Sequence, residues 1–245
     1  MSLIVKTGKR FLQVLKNGLE NAFSIIFPRV CIACDIKLKQ NEAYFCEKCY
    51  NELIFSKIHI SDEWEIPVKY FSKAYSEFKY SDIVKQLVHS LKYENYTKIA
   101  KYMAYLTFDI AGLKIKTKYD YLVPVPLHKV RQRERGYNQA LLIAKAIGKR
   151  LDLPVSSKII YRTRYTSTQT QKNHEERLSN VSNAFKLYKK ANVKGKKILL
   201  IDDVVTTGST LNTIAHVLKE NHAKQVDIFV FAWANEKAHS THSNL

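Results

Sequence analysis

Between about residues 118 and 234 the chain alternates two hydrophobic patterns. Tyr119–Pro126, Lys197–Ile201 and Val226–Ala234 are nearly continuous apolar runs. Such runs mark strands buried on both faces, as in a parallel sheet. Between them, Asn138–Arg150, which ends before Pro154, and about Ser209–Asn221 carry the spacing of amphipathic helices. Strands alternating with helices predict an α/β fold: a mostly parallel sheet flanked by helices. The stretch Leu127–Gly136 reads as a basic loop, and residues 161–184 are polar with almost no aliphatic pattern.

Upstream the pattern differs. Leu12, Leu15, Leu19, Phe23 and Ile26 recur at helical spacing and predict an amphipathic helix over residues 1–27, stopped by Pro28. It either packs on the rest of the protein or lies on a membrane surface, since its polar face is mildly basic. Residues 28–60 form a separate cysteine module. Ser72–Phe78 fits a short strand, Ile83, Leu87 and Leu91 a helix capped by Ser81, and Thr97–Ile110 a further helix. The expected division is therefore a helix (1–27), the module (28–60), an α/β domain (61–236) and a frayed tail (237–245).

Charge changes the picture. The 245 residues hold 40 Lys and Arg against 22 Asp and Glu, a formal net charge of +18. Over half of that excess sits between Lys114 and Arg177, where 15 basic residues face five acidic ones. Within it Arg131, Arg133 and Arg135 alternate, interrupted by Glu134. A bias of this size points to polyanionic partners: nucleic acid, a phosphorylated metabolite or an anionic membrane surface. A solvated basic surface is the plain alternative. No stretch approaches the roughly 18 apolar residues of a membrane span, and no secretory leader pattern precedes the cysteines. The expected location is the cytoplasm, where thiols stay reduced, with a peripheral position at the inner membrane face open to the N-terminal helix.

All four cysteines fall in two Cys-x-x-Cys pairs, Cys31/Cys34 and Cys46/Cys49, separated by eleven residues. Each pair can direct two thiolates at one ion, and two pairs complete the closed tetrahedral shell of a structural zinc site. Disulfides, a redox pair or unliganded core thiols are the alternatives. A closed four-thiolate shell leaves no position for substrate, so its role is folding support.

The run Ile198–Ile201, Asp202-Asp203, Val204-Val205, Thr206-Thr207-Gly208-Ser209-Thr210 carries the sharpest chemistry. A helix start offers unpaired backbone N–H groups and a partial positive charge. Gly208 lets the backbone come close, and the hydroxyls of Thr206, Thr207, Ser209 and Thr210 add donors around a phosphate. Two adjacent carboxylates at a strand end suit cis ribose hydroxyls, with magnesium beside them. An ordinary strand-to-helix turn would need far less. The run resembles the phosphoribosyl-pyrophosphate signature of type I phosphoribosyltransferases.

That loop stands in one order with Pro124-Val125-Pro126-Leu127-His128, Arg135-Gly136-Tyr137-Asn138-Gln139, Arg162, Gln169, Arg177, Asn180 and Ala184-Phe185, downstream of the four cysteines. Together they resemble the ComF family of competence-associated proteins, of the ComFC type, over about Phe27–Trp233. The resemblance implies a type I phosphoribosyltransferase-like domain, an N-terminal zinc finger and a role in natural transformation, with single-stranded DNA as partner. It places His128, Arg131, Arg133 and Arg135 in the pyrophosphate-holding segment. Arg162, Arg164 and Arg177 fall beside or within the loop that closes over substrate in such enzymes. Tyr165, Gln169, Arg177 and Val181 are similar to the pattern of amidophosphoribosyltransferases.

One position departs from the purine-salvage members of that fold, where an aspartate base often stands two places before the loop glycine. Here it is Thr206, a poor base at neutral pH. An amine acceptor would need less help from a base, and His128 and His174 are the candidate replacements for it. Three functions compete. The first is a competence protein binding single-stranded DNA, with Tyr70, Phe71, Tyr75, Phe78, Tyr80, Tyr93 and Tyr96 as stacking platforms or core, and Lys37, Lys39 and Lys48 as phosphate contacts. The second is a transferase using phosphoribosyl pyrophosphate with magnesium. The third is an adaptor to a DNA-uptake helicase or a recombination mediator.

Overall fold

The computed structural model describes residues 29–60, 68–91, 96–163 and 184–234. The N-terminal segment 1–27, the tail from 237, Arg164, Gln169, His174, Arg177, Asn180 and Tyr93 lie outside them. The chain divides into two compact units between Phe55 and Ser56. In the smaller unit the described residues form the two cysteine turns and helix α1, Glu47–Phe55.

The larger unit is built on a five-stranded sheet. Its strands are β1 (Lys57–Ile60), β2 (Ala74–Lys79), β3 (Tyr121–Pro124), β6 (Lys197–Val205) and β7 (Gln225–Trp233), in the order β1-β2-β7-β6-β3. All neighbours are parallel except β1, which runs antiparallel to β2 at the edge. Sequence placed residues 57–60 with the cysteines; their backbone instead finishes this sheet. Ile198 and Leu200 of β6 share a core cluster with Val226, Ile228 and Val230 of β7 and with Ile214 and Leu218 of α6 (Ser209–Glu220). Side chains alternate across a strand, so the buried Phe229 and Phe231 turn to the opposite face. There Phe78 of β2 stacks on Phe231 with ring centroids 4.9 Å apart.

The remaining helices are α2 (Asp82–Ser90), α3 (Tyr96–Tyr105, widening into a π-helical turn over Leu106–Ile110), α4 (Lys129–Arg135) and α5 (Gln139–Leu151). A short antiparallel hairpin, β4 (Ile160–Arg162) with β5 (Phe185–Leu187), stands apart from the main sheet. Ser81 does occupy the N-cap of α2, but its side chain makes no cap bond. Its hydroxyl pairs with Ser56 Oγ at 2.7 Å. A tertiary partner has displaced the local one.

The supposed basic loop also differs: Lys129–Arg135 is a short helix. It buries none of its residues, so no apolar stripe could reveal it. Its ends are fixed by His128, whose Nδ1 accepts from Val130 N at 3.3 Å, and by Gly136 at φ 75°. α5 follows with Asn138 as its cap: Oδ1 accepts from Leu141 N at 3.4 Å, while Nδ2 donates to Val125 O at 2.9 Å. One residue thus starts the helix and ties down the segment after β3.

Gly148 allows α5 to lie close to its neighbours. A Cβ there would meet Val155 Cγ2 at 2.6 Å and Leu153 O at 2.8 Å. Glycine normally weakens a helix interior, and here close approach explains it. Gly148→Ala should destabilise the protein by about 1–3 kcal/mol, the usual range for overpacking, read as a lower midpoint in denaturant with an unchanged slope. A stabilised Gly148→Ala variant would contradict the packing.

The buried Asp227 at the start of β7 is fully partnered. It accepts from Tyr119 Oη at 2.6 Å, Gln225 Nε2 at 2.8 Å and Lys73 N at 3.1 Å. Burial, then this carboxylate, hold the Tyr119 hydroxyl protonated well above its usual range. The network lies at the opposite end of β7 from Trp233 and sews the segments before β2 and β3 to the sheet.

Candidate functional site

The Thr206–Thr210 turn forms where β6 meets α6, at the carboxyl ends of the parallel strands. Sequence put Asp202 and Asp203 in the loop; both still belong to β6, which pairs with β7 as far as Val205 opposite Trp233. The chain then bends through Thr206 and Thr207. Gly208 caps α6 at φ 73°, a left-handed conformation glycine adopts without strain. Thr207 Oγ1 lies 3.0 Å from Ser209 Oγ and accepts from Ser209 N at 3.4 Å. Thr206, Thr207 and Ser209 are exposed, and Thr210 is half-buried. The turn therefore carries exposed hydroxyls at the start of a helix.

The carboxylate pair is under electrostatic load. Burial pushes the Asp202 carboxyl well above its usual range, and the Asp203 charge pushes it the same way. The Asp203 backbone N–H, donating to Asp202 Oδ1 at 2.9 Å, and the Arg162 charge offset part of this. Asp202 lies deep, yet part of its surface still meets solvent. Asp203 Oδ1 accepts from Val204 N at 2.8 Å. Arg162 is brought into this field from β4. Its basicity is lowered by burial and by Arg131, and raised by Asp202. Its guanidinium also sits 5.5 Å from the Phe185 ring centroid.

Of the predicted arginines, the fold thus brings Arg131 and Arg162 to the carboxylate end of β6. Arg133 is exposed on α4, and Arg135 Nη1 donates to Gln139 Oε1 at 3.2 Å. His128 serves as a helix cap. Arg164 and Arg177 lie outside the described residues. Core burial removes Phe71, Tyr75 and Phe78 from the set of stacking platforms, at 4%, 7% and 0% exposure.

Two positioning residues carry no pattern visible in sequence. Asn212, on the first turns of α6, accepts from Tyr70 N at 2.9 Å and donates to Val68 O at 2.6 Å, fixing residues 68–70 beside the loop. Tyr80 lies close enough to Asp203 for that charge, after burial, to raise its hydroxyl's pKa. Both depend on contacts more than 120 residues apart.

In the smaller unit the four cysteine Sγ atoms lie within 4.8 Å of one another, and Cys34 and Cys46 are 3.7 Å apart. Zinc–sulfur bonds of about 2.3 Å in a tetrahedron would place sulfurs about 3.8 Å apart, so these thiols can hold one metal ion with little movement. Burial raises the Cys31 thiol, but backbone N–H groups of Cys46, Ala33 and Cys34 outweigh it and bring it to about 7. Cys49 is pushed up by burial and its three thiol neighbours. Glu42 braces the cluster's loop, accepting from Lys39 N at 2.6 Å and Glu47 N at 2.9 Å. Arg29 closes it from the other side through the carbonyls of Lys39, Gln40 and Glu42.

Comparison with known proteins adds to this geometry. Residues 138–243 match the phosphoribosyl transferase domain family. The chain is 29% identical over 235 residues to competence protein F of Haemophilus influenzae, covering 91% of this chain and 93% of that one. It is 33% identical over 157 residues to the DNA utilization protein YhgH of Escherichia coli K12, covering 61% of this chain and 67% of that one. This chain belongs to the ComF family. The solved adenine phosphoribosyltransferase of Thermoanaerobacter pseudethanolicus aligns with 75% of this ComF chain and 99% of its own, at 14% identity and a TM-score of 0.36. The ComF domain here is a type I phosphoribosyltransferase-like α/β fold preceded by a four-cysteine cluster. Among the described residues, no helix is long and apolar enough to cross a membrane.

Proposed function

We propose that this ComF-family chain acts in DNA uptake, binds single-stranded DNA and holds phosphoribosyl pyrophosphate with magnesium at the Asp202–Thr210 site. The observation that carries the reading is the convergence at one place of a carboxylate pair, a hydroxyl-rich helix start and Arg162. Asp202 and Asp203 accept from the ribose hydroxyls and neighbour the magnesium. Thr206, Thr207, Gly208, Ser209 and Thr210 surround the 5′-phosphate, and Arg131 and Arg162 meet the pyrophosphate. Magnesium, when bound, neutralises pyrophosphate charge. The names of the relatives support the DNA-uptake role, and the +18 charge supports a polyanionic partner. The four thiolates hold structural zinc, a role that suits a reducing cytoplasm. A DNA-uptake helicase or a recombination mediator is the protein partner such a role calls for.

Calorimetric titration with phosphoribosyl pyrophosphate and magnesium tests the site. Wild type should bind, and the Asp202→Ala/Asp203→Ala variant should lose about 100-fold or more, since each charged hydrogen-bond acceptor contributes about 1.5–3 kcal/mol. Absence of binding by wild type with its metal content intact would make the loop a relic of the fold.

The intact carboxylate pair also favours a second reading, an active transferase. Thr206 is exposed and supplies no base, so the acceptor such a site fits is an amine with its own lone pair. Pyrophosphate release that requires both an added amine and Asp203 would support it.

A further inference from the structure

A groove of about 1000 Å3 runs alongside the phosphate site without including its loop. One wall is the chain after β3 with α4 and the start of α5. The other is the β4–β5 hairpin with residues 156–159 and 188–192. Lys129, Lys158, Arg162, Lys189 and Lys190 line it, and none of its lining residues is Asp or Glu. Four of these cations are exposed, so they are solvated and available. Five cations around one cavity are far more than a single phosphate needs.

The hairpin adds a second kind of contact. Tyr161 on β4 faces Lys186 in the ladder, so Tyr188, two residues on, is its diagonal neighbour. Their rings meet at 4.8 Å with an interplanar angle of 53°. Tyr188 is 43% exposed, and Tyr188 N donates to Ile159 O at 3.1 Å. An exposed tyrosine tied to the backbone of residue 159 therefore stands among the cations of the groove. The volume is at the upper end for small-molecule sites, and the groove is open. A metabolite would leave most of these cations unmatched.

Cations that track a backbone, interleaved with a stacking platform, are what unpaired bases require. Duplex bases already stack on each other and offer no free face. Resting on the reading of this protein as a single-strand binder, we propose that this groove is the path of single-stranded DNA. Bases stack on Tyr188, which Tyr161 supports. Lys129, Lys158, Lys189 and Lys190 meet the phosphates. Arg162, shared with the Asp202 site, marks where the track reaches the ribose-phosphate loop.

Fluorescence anisotropy with a labelled oligothymidylate of about twenty nucleotides tests it, at several salt concentrations. Tyr188→Ala should weaken binding about 5- to 150-fold, the range for losing one base–aromatic stack, and Tyr188→Phe should retain it. Lys189→Ala/Lys190→Ala, at exposed positions that leave the fold intact, should flatten the log–log salt slope by about 0.7 per lost phosphate contact. Wild type that binds, with both alanine variants binding equally well at an unchanged slope, would overturn the groove while leaving the single-strand reading in place. Wild type that fails to bind even at low salt would overturn that reading and the groove with it.

Discussion

Stripping the metal from this protein should unfold residues 29–55. The buried apolar side chains there are Cys31, Leu38, Phe45, Cys46, Cys49 and Leu53. Three of the six are cysteines of the cluster, which leaves Leu38, Phe45 and Leu53 as the entire hydrocarbon core among the described residues. A unit this small seldom folds on apolar burial alone. The hydrogen bonds that shape it, donated by Arg29 and accepted by Glu42, lie at exposed positions, where water competes for both partners. An ion held by the four thiols would add folding free energy of about 10–16 kcal/mol, as in comparable four-ligand zinc sites.

The expected result is one zinc per chain in the purified protein. After chelation, or in Cys46→Ser, amide protection across 29–55 should collapse, while the amides of β6 and β7 stay protected by the separate sheet. Cys46 is the informative choice because it is buried and 3.7 Å from Cys34. Protection across 29–55 that survives complete metal removal would show that the cysteines are packing residues.

The architecture was legible wherever burial imposes a period. Ile198–Ile201 and Val226–Ala234 are apolar because both faces of β6 and β7 are covered, so composition alone marks them. The cysteine cluster was legible because its ligands are local in sequence and rare in type. The strand-to-helix junction around Gly208 was legible because an apolar run gives way there to hydroxyl residues and a glycine. Features held by contacts distant in sequence were silent. α4 buries no side chain and owes its existence to His128 and Gly136. Asn212 reaches Val68 and Tyr70, and nothing around it in the chain announces that. Tyr161 and Tyr188 become a pair only once β4 and β5 fold back on each other. Three of the aromatic candidates among residues 70–80 failed for the converse reason: an isolated Phe or Tyr looks the same in a core as on a platform, and the core took Phe71, Tyr75 and Phe78.

Asp202→Asn should make the ligand-free protein more stable while weakening its binding of phosphoribosyl pyrophosphate about 10- to 150-fold. The sign follows from the carboxyl's raised pKa, caused first by burial and then by Asp203. The folded state holds this proton more tightly than the unfolded chain does. Stability contributed by the protonated form is therefore lost as pH rises from the ordinary carboxylate range, near 4, through the raised folded value, and the full penalty persists above it. Asparagine carries no charge to bury. The variant should melt higher than wild type at pH 7 and above, by about 2–4 °C for each kcal/mol relieved. The gap should close below about pH 4, where wild type is protonated in both states. Ligand reverses the order. A saturating excess of phosphoribosyl pyrophosphate with magnesium, at about 100 times the wild-type Kd, should stabilise wild type by about 2.7 kcal/mol and Asp202→Asn by clearly less. Melting curves from about pH 3 to 8, with and without ligand, separate the two effects. A variant less stable than wild type at pH 7 would mean that Asp202 is a structural acceptor. Higher apo stability with weakened binding would identify its buried charge as a load the fold carries for a ligand.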